Sequence, residues 1–126
     1  MSTRPSVAVI EADGATRRTL CSLLSSLDAD VHDYESAESY LAAREDDLLC
    51  VISDVKLPGM SGFDLLKRLR SSELGLPVIL LGEEADVGAA VAAIRAGAID
   101  FIEKSHLDVA IPRRVAWLID SSEVVH

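Results

Sequence analysis

Three short stretches of this sequence put ionisable side chains where an apolar run has just ended. Val7-Ala8-Val9-Ile10 runs into Glu11-Ala12-Asp13, Val51-Ile52-Ser53 into Asp54, and Ala98-Ile99-Asp100-Phe101-Ile102 into Glu103-Lys104. Runs of this length and composition make buried strands. In an open parallel sheet, ligands and chemistry gather outside the carboxyl ends of the strands. If the first, third and last strands end on one edge, Glu11, Asp13, Asp54 and Lys104 meet in one cleft. Acids clustered in that way can hold a divalent cation. Asp54 keeps a second reading at this point, as a side chain that only caps the loop after its strand. That loop contains two breakers, Pro58 and Gly59, before Ser61-Gly62 opens a helix.

The elements that must position these groups alternate regularly. Gly14 to Leu27 carries Leu20, Leu23, Leu24 and Leu27 at helical spacing. Arg17 and Arg18 near its start read as a solvated face, or as a dock for an acidic partner. Asp30–Tyr34 is a short peripheral strand, and Ser36 caps a helix over Ala37–Arg44 with Tyr40 and Leu41 inward. Glu45-Asp46-Asp47 is a solvated acidic turn with no site. Leu48–Ser53 is the third strand, and Gly62–Ser71 the third helix, N-capped by Ser61. Val78–Leu81 is the fourth strand, followed by a Gly82-Glu83-Glu84 loop. Asp86–Ala96 is an alanine-rich fourth helix closed by Gly97. Ala98–Ile102 is the fifth strand, and Glu103–His106 its exit loop. The last helix should start near Asp108–Ile111, with Pro112 in its first turn, and end about Asp120, with Trp117 at the edge of its apolar side. Ser121–His126 reads as a frayed end or the start of a linker. Five βα units without a repeat or internal linker predict one α/β domain over residues 1–126, a parallel sheet with helices on both faces.

The 126 residues are 49% hydrophobic and 26% charged, which excludes a disordered chain. No apolar run approaches the roughly 18 residues of a membrane span, and the N-terminus lacks the apolar core of a secretory signal, so a cytoplasmic protein is expected. A net charge of −9 weighs against direct binding of nucleic acid, which depends on cationic side chains. Cys21 and Cys50 form no CxxC and no metal spacing with histidine, and read as reduced core thiols.

Taken in order, VIEAD, SDVKLPGMSG, LPVILL and AGAIDFIEK resemble the receiver domains of two-component response regulators, most nearly the FixJ-type receivers. Asp54 lies 43 residues after Glu11 and Lys104 lies 50 after Asp54, spacings that fit the family. The resemblance implies a flavodoxin-like, doubly wound fold with strand order 2-1-3-4-5. It implies a signalling domain rather than an enzyme, in which Asp54 accepts a phosphoryl group from a histidine kinase. Mg2+ would be held by Glu11, Asp54 and the backbone carbonyl of Lys56, with Asp13 a weaker candidate, and Lys104 would pair with a phosphoryl oxygen. Phosphoryl transfer consists mostly of such positioning and charge neutralisation.

Three positions depart from the family pattern. Ala12 stands where a second, metal-ligating acid belongs, so weak Mg2+ binding is expected. Gly82 stands where a Thr or Ser hydroxyl would bond the phosphoryl group. Ser105 follows the lysine where proline is usual, so a trans bond and a shifted exit loop are expected, because a cis bond there costs about 2.5–4 kcal/mol. Phe101 matches the aromatic that reports activation. The alanines of the fourth helix (Ala89, Ala90, Ala92, Ala93), beside the fifth strand, suggest a surface for a homodimer or for an output module such as a DNA-binding transcription regulator. The alternative is a degenerate receiver that works as an interaction or dimerisation module without phosphorylation.

Overall fold

The computed structural model describes residues 4–72 and 75–124. Five strands, β1 (Ser6–Ile10), β2 (Asp30–Tyr34), β3 (Cys50–Asp54), β4 (Val78–Gly82) and β5 (Asp100–Glu103), form one parallel sheet in the order β2-β1-β3-β4-β5. They alternate with α1 (Gly14–Ser25), α2 (Ala37–Ala43), α3 (Gly62–Arg70), α4 (Val87–Arg95) and α5 (Leu107–Val124). Successive strand residues face opposite sides, and each side has its own core. Val7, Val9, Ile52, Ile79 and Leu81 pack with Leu20 and Leu24 of α1 and with Ile111 and Val115 of α5. Ala8, Ile10, Val51, Val78 and Leu80 pack with Tyr40 of α2, Leu65 and Leu66 of α3 and Ala93 of α4. Burial on both faces explains why these strands read as continuous apolar runs. The expected order, the parallel sheet and the peripheral place of β2 all hold.

Several boundaries differ from expectation for local reasons. β3 is Cys50–Asp54 rather than Leu48–Ser53, because pairing with β4 carries it through Asp54, opposite Leu81. Gly82 is the buried last residue of β4, opposite Glu103, and not part of a loop. The exit from β5 is a 3-10 turn, Lys104–His106, that runs directly into α5. No peptide bond among the described residues is cis, as expected at Ser105. α5 starts at Leu107 and continues through Val124, so Ser121–Val124 is helix; Val125 and His126 lie outside the described residues. Pro112 therefore stands in the second turn, not the first. Its missing N–H leaves the carbonyl of Asp108 without a helical partner, and Asp108 is exposed to water. The buried stripe Leu107, Ile111, Val115, Leu118 outweighs that loss, at roughly 1.5–3 kcal/mol for each fully buried side chain.

Glu45 also departs from expectation. Its side chain is largely buried, accepts the Tyr34 hydroxyl and pairs with His32 at 2.8 Å, tying the end of α2 to β2. The fourth helix is closed by Gly97, at φ 105°, as expected, while Asp86, expected as its first residue, stands just outside it as the N-cap.

Candidate functional site

Strand register assembles the site. Ile10 pairs with Ser53, Asp54 with Leu81, and Gly82 with Glu103, so Glu11, Asp54, Gly82 and Lys104 come to one edge of the sheet. Glu11 is 1% exposed and Asp54 4%, the only charged side chains so deeply buried among the described residues. Lys104, from the far side of β4, donates to Asp54 Oδ2, and its Nζ lies 3.3 Å from Glu11 Oε1. The Lys56 N–H donates to Asp54 Oδ1 at 3.1 Å. Three of the four ionisable groups read from the sequence thus meet, and the backbone of Lys56 joins them.

Burial is the largest influence on Glu11, and with the neighbouring Asp54 carboxyl it pushes its pKa up to about 7. Burial alone would lower Lys104, but the hydrogen bond and charge of Asp54, with the charge of Glu11, leave it raised, so it stays an ammonium at neutral pH. Glu11 Oε1, although near that ammonium, makes no hydrogen bond. Two buried carboxylates sharing one ammonium, with one carboxylate oxygen making no hydrogen bond, suit a divalent cation beside them. Among the described residues no group of three His, Cys, Asp or Glu side chains converges on a metal position. Glu11, Asp54 and the Lys56 carbonyl fit Mg2+, but as a thin set in which water must complete the six oxygens.

Asp13 is committed elsewhere. It is the N-cap of α1, its Oδ2 accepting the Thr16 N–H at 2.9 Å and the Thr16 hydroxyl at 2.7 Å, and these bonds hold its pKa below the usual carboxylate value. Ala12 is exposed. Phe101 and Gly82 form a pair: a Cβ on Gly82 would lie 2.2 Å from Phe101 Cζ. The ring occupies the space that any side chain at position 82 would take.

Two supporting residues were not legible as such. Arg17, expected on a solvated face, pairs with Asp33 at 3.1 Å and Glu35 at 3.6 Å and donates to the Glu11 carbonyl at 2.8 Å, so it holds the exit of β1 in place. Glu38 of α2 accepts the Met60 N–H at 2.8 Å and so grips the loop after β3. The Asp13 cap had a sequence signal, an aspartate just before a helical pattern; Arg17 and Glu38 had none.

Comparison with known proteins places this geometry. The family model for the response regulator receiver domain matches residues 7–115. The chain belongs to that family. Receiver domains act in two-component signalling, with histidine kinases and output domains as partners, and generally bind Mg2+ at their acidic site. This receiver is 34% identical over 124 residues to the transcriptional regulatory protein FixJ of Bradyrhizobium diazoefficiens, spanning 98% of the chain and 60% of that protein. It is 41% identical over 106 residues to FixJ of Azorhizobium caulinodans, spanning 83% and 50%. The chain therefore spans about half to three fifths of the length of these curated relatives. The solved structure of FixJ-N superposes with a TM-score of 0.81 at 29% identity, covering 93% of this chain and 94% of that one. A response regulator from Chloroflexus aurantiacus superposes at 0.87 with 26% identity, covering 94% and 99%.

Proposed function

We propose that Asp54 is the phosphoacceptor of this receiver, taking a phosphoryl group from the phosphohistidine of a cytoplasmic histidine kinase. The observation that carries this reading is the buried Asp54 carboxylate held between the Lys104 ammonium and the Lys56 N–H. In the transfer, an Asp54 oxygen forms a bond to phosphorus as the phosphorus–nitrogen bond of the phosphohistidine breaks. The electron pair stays on the imidazole, which takes up a proton, and Asp54 becomes an acyl phosphate. Lys104 pairs with a phosphoryl oxygen as the charge spreads over the equatorial oxygens, and the Lys56 N–H orients the carboxylate. Mg2+, when bound, offsets the negative charge of the acids and the phosphoryl group. Glu11, Asp54 and the Lys56 carbonyl would hold it. The family relationship does not favour the alternative of a module that works without phosphorylation.

Incubation with a small acyl phosphate and Mg2+ should add one phosphoryl group by intact mass, and Asp54→Asn should abolish the addition. No addition to the unsubstituted chain, from either that donor or a kinase, would overturn the reading.

The output surface is read from α4. Ala93 is fully buried, Ala89 and Ala90 are half-buried and Ala92 is exposed, so a stripe of branched side chains adds to the alanine surface expected there. Val87, Val91 and Ile94 are 70%, 46% and 52% exposed, at spacings of four and three along one face. We assign this stripe, with the adjoining β5, to self-association or to contact with an output module such as a DNA-binding regulator. A stable dimer there would bury on the order of 1,000 Å2 or more. Light scattering across a concentration series should show association that Val91→Glu weakens. A strict monomer unchanged by that substitution refutes the homodimer.

A further inference from the structure

We propose that Glu38, on α2, is a positioning residue for the phosphoacceptor site, acting through the loop that carries Lys56; this rests on the reading of Asp54 and Lys56 given above. The loop between β3 and α3 runs from Val55 to Ser61. Its base is closed by backbone: the Gly62 N–H donates to the Val55 carbonyl at 2.9 Å, and the Val55 N–H to the Leu81 carbonyl at 2.9 Å. Gly62 is needed there, because a Cβ would stand 2.2 Å from the Asp54 carbonyl oxygen. Lys56, one residue beyond the base, directs its N–H at Asp54 Oδ1. Its carbonyl leads into the far half of the loop, Leu57 to Met60.

That far half is held from outside by Glu38. Among the described residues it is the only side chain beyond β3, the loop and α3 that hydrogen-bonds to the loop. Its Oε2 accepts the Met60 N–H at 2.8 Å. The same carboxylate lies against the Cα of Gly59, where a Cβ would be 2.5 Å from Oε2, and Gly59 adopts φ 73°. Glycine at 59 thus serves twice, permitting the left-handed turn and letting the carboxylate approach the backbone. Glu38 is exposed and stands in the first turn of α2, whose N-cap is Ser36, where the helix N-terminus favours an acid. The chain of contacts runs from α2 through Glu38 to Gly59 and Met60, and back along the loop to Lys56 and Asp54. A residue that orients a ligand without touching the metal typically changes metal affinity ~10–100-fold when lost.

The test compares the whole chain with Glu38→Ala, Glu38→Gln and Gly59→Ala, which attacks the same contact from the loop side. The first readout needs no metal: amide proton shifts of Met60 and Lys56. Glu38→Ala and Gly59→Ala should move both, and Glu38→Gln, whose amide oxygen can still accept, should restore Lys56 to its original position. The second is Mg2+ affinity from the same amides, which should fall roughly 10-fold or more in the alanine variants and recover in Glu38→Gln. A Lys56 amide that stays in place when the Met60 amide moves would overturn the proposal, because the grip would then end at Met60. Failure of Glu38→Gln to rescue would overturn it as well, since the hydrogen bond would not be the cause. An unsubstituted chain that ignores Mg2+ would instead sink the metal reading, and the metal-free Lys56 comparison still decides the role of Glu38.

Discussion

Gly82→Thr should expel the Phe101 ring from the site and make the β4–β5 edge respond to a phosphoryl group. The ring now sits where the new Cβ must go, 2.2 Å from Cζ and 2.8 Å from Cε2, closer than non-bonded carbon atoms stand. Overpacking of this kind costs about 1–3 kcal/mol. Replacing a strand glycine returns only roughly 0.5–1 kcal/mol, so the variant should be less stable than the original. Combining it with Phe101→Ala removes the collision, and the double variant should be more stable than the sum of the two single changes by about 1 kcal/mol or more. The functional consequence is separate. A hydroxyl that bonds the phosphoryl group supplies roughly 1.5–3 kcal/mol of differential interaction, a shift of about 10- to 150-fold between two conformations. Glycine supplies none of it, and Phe101 already fills the space beside it. With beryllofluoride as the phosphoryl mimic, amide spectra of the unsubstituted chain should change around Asp54 and Lys104 but little over α4 and β5. In Gly82→Thr the change should reach both elements. A large, uniform shift over α4 and β5 in the unsubstituted chain would show that Gly82 does not weaken the coupling.

Ala12→Asp should tighten Mg2+ binding by roughly 10- to 100-fold or more, the loss typical of even an indirect metal partner. In the proposed site the cation would be held by Glu11, Asp54 and one backbone carbonyl, and Glu11 Oε1 lacks a hydrogen-bond partner. Asp13 is the nearest substitute acid, but recruiting it means giving up both bonds to Thr16, and loss of an N-cap costs about 0.5–2 kcal/mol. We therefore trace the weak binding expected of this site to Ala12, and the structure gives Asp13 the capping role. Asp13→Ser, which keeps a capping oxygen, should leave Mg2+ affinity unchanged. Titration followed by the amides of Asp54 and Lys56 checks both statements. Saturation of the unsubstituted chain in the sub-millimolar range would refute the first, and a marked loss in Asp13→Ser the second.

Much of this molecule was legible in its sequence because the relevant signals are local. An apolar run of four or five residues is buried on both faces wherever it lies, so Val7–Ile10 and Val78–Leu81 announce central strands of a parallel sheet. Ser36 and Ser61 cap the helices that follow them because the bond they make spans three residues. The order of Glu11, Asp54 and Lys104 at strand ends, with the stretches around them, was enough to name the family.

What only the tertiary structure decided lies between residues far apart in the chain, where no period or spacing records the contact. Strand register carried Lys104 past β4 to Asp54 and left Glu11 Oε1 beside the ammonium without a hydrogen bond. The choice of Arg17 as a clamp between Asp33 and the Glu11 carbonyl, and of Glu38 as the grip on Met60, rests on hydrogen bonds whose direction the fold sets. Gly82 read as a missing hydroxyl in the sequence. In the structure it is a space already filled by Phe101, because side chains diagonal to each other on neighbouring strands of one sheet face compete for the same volume.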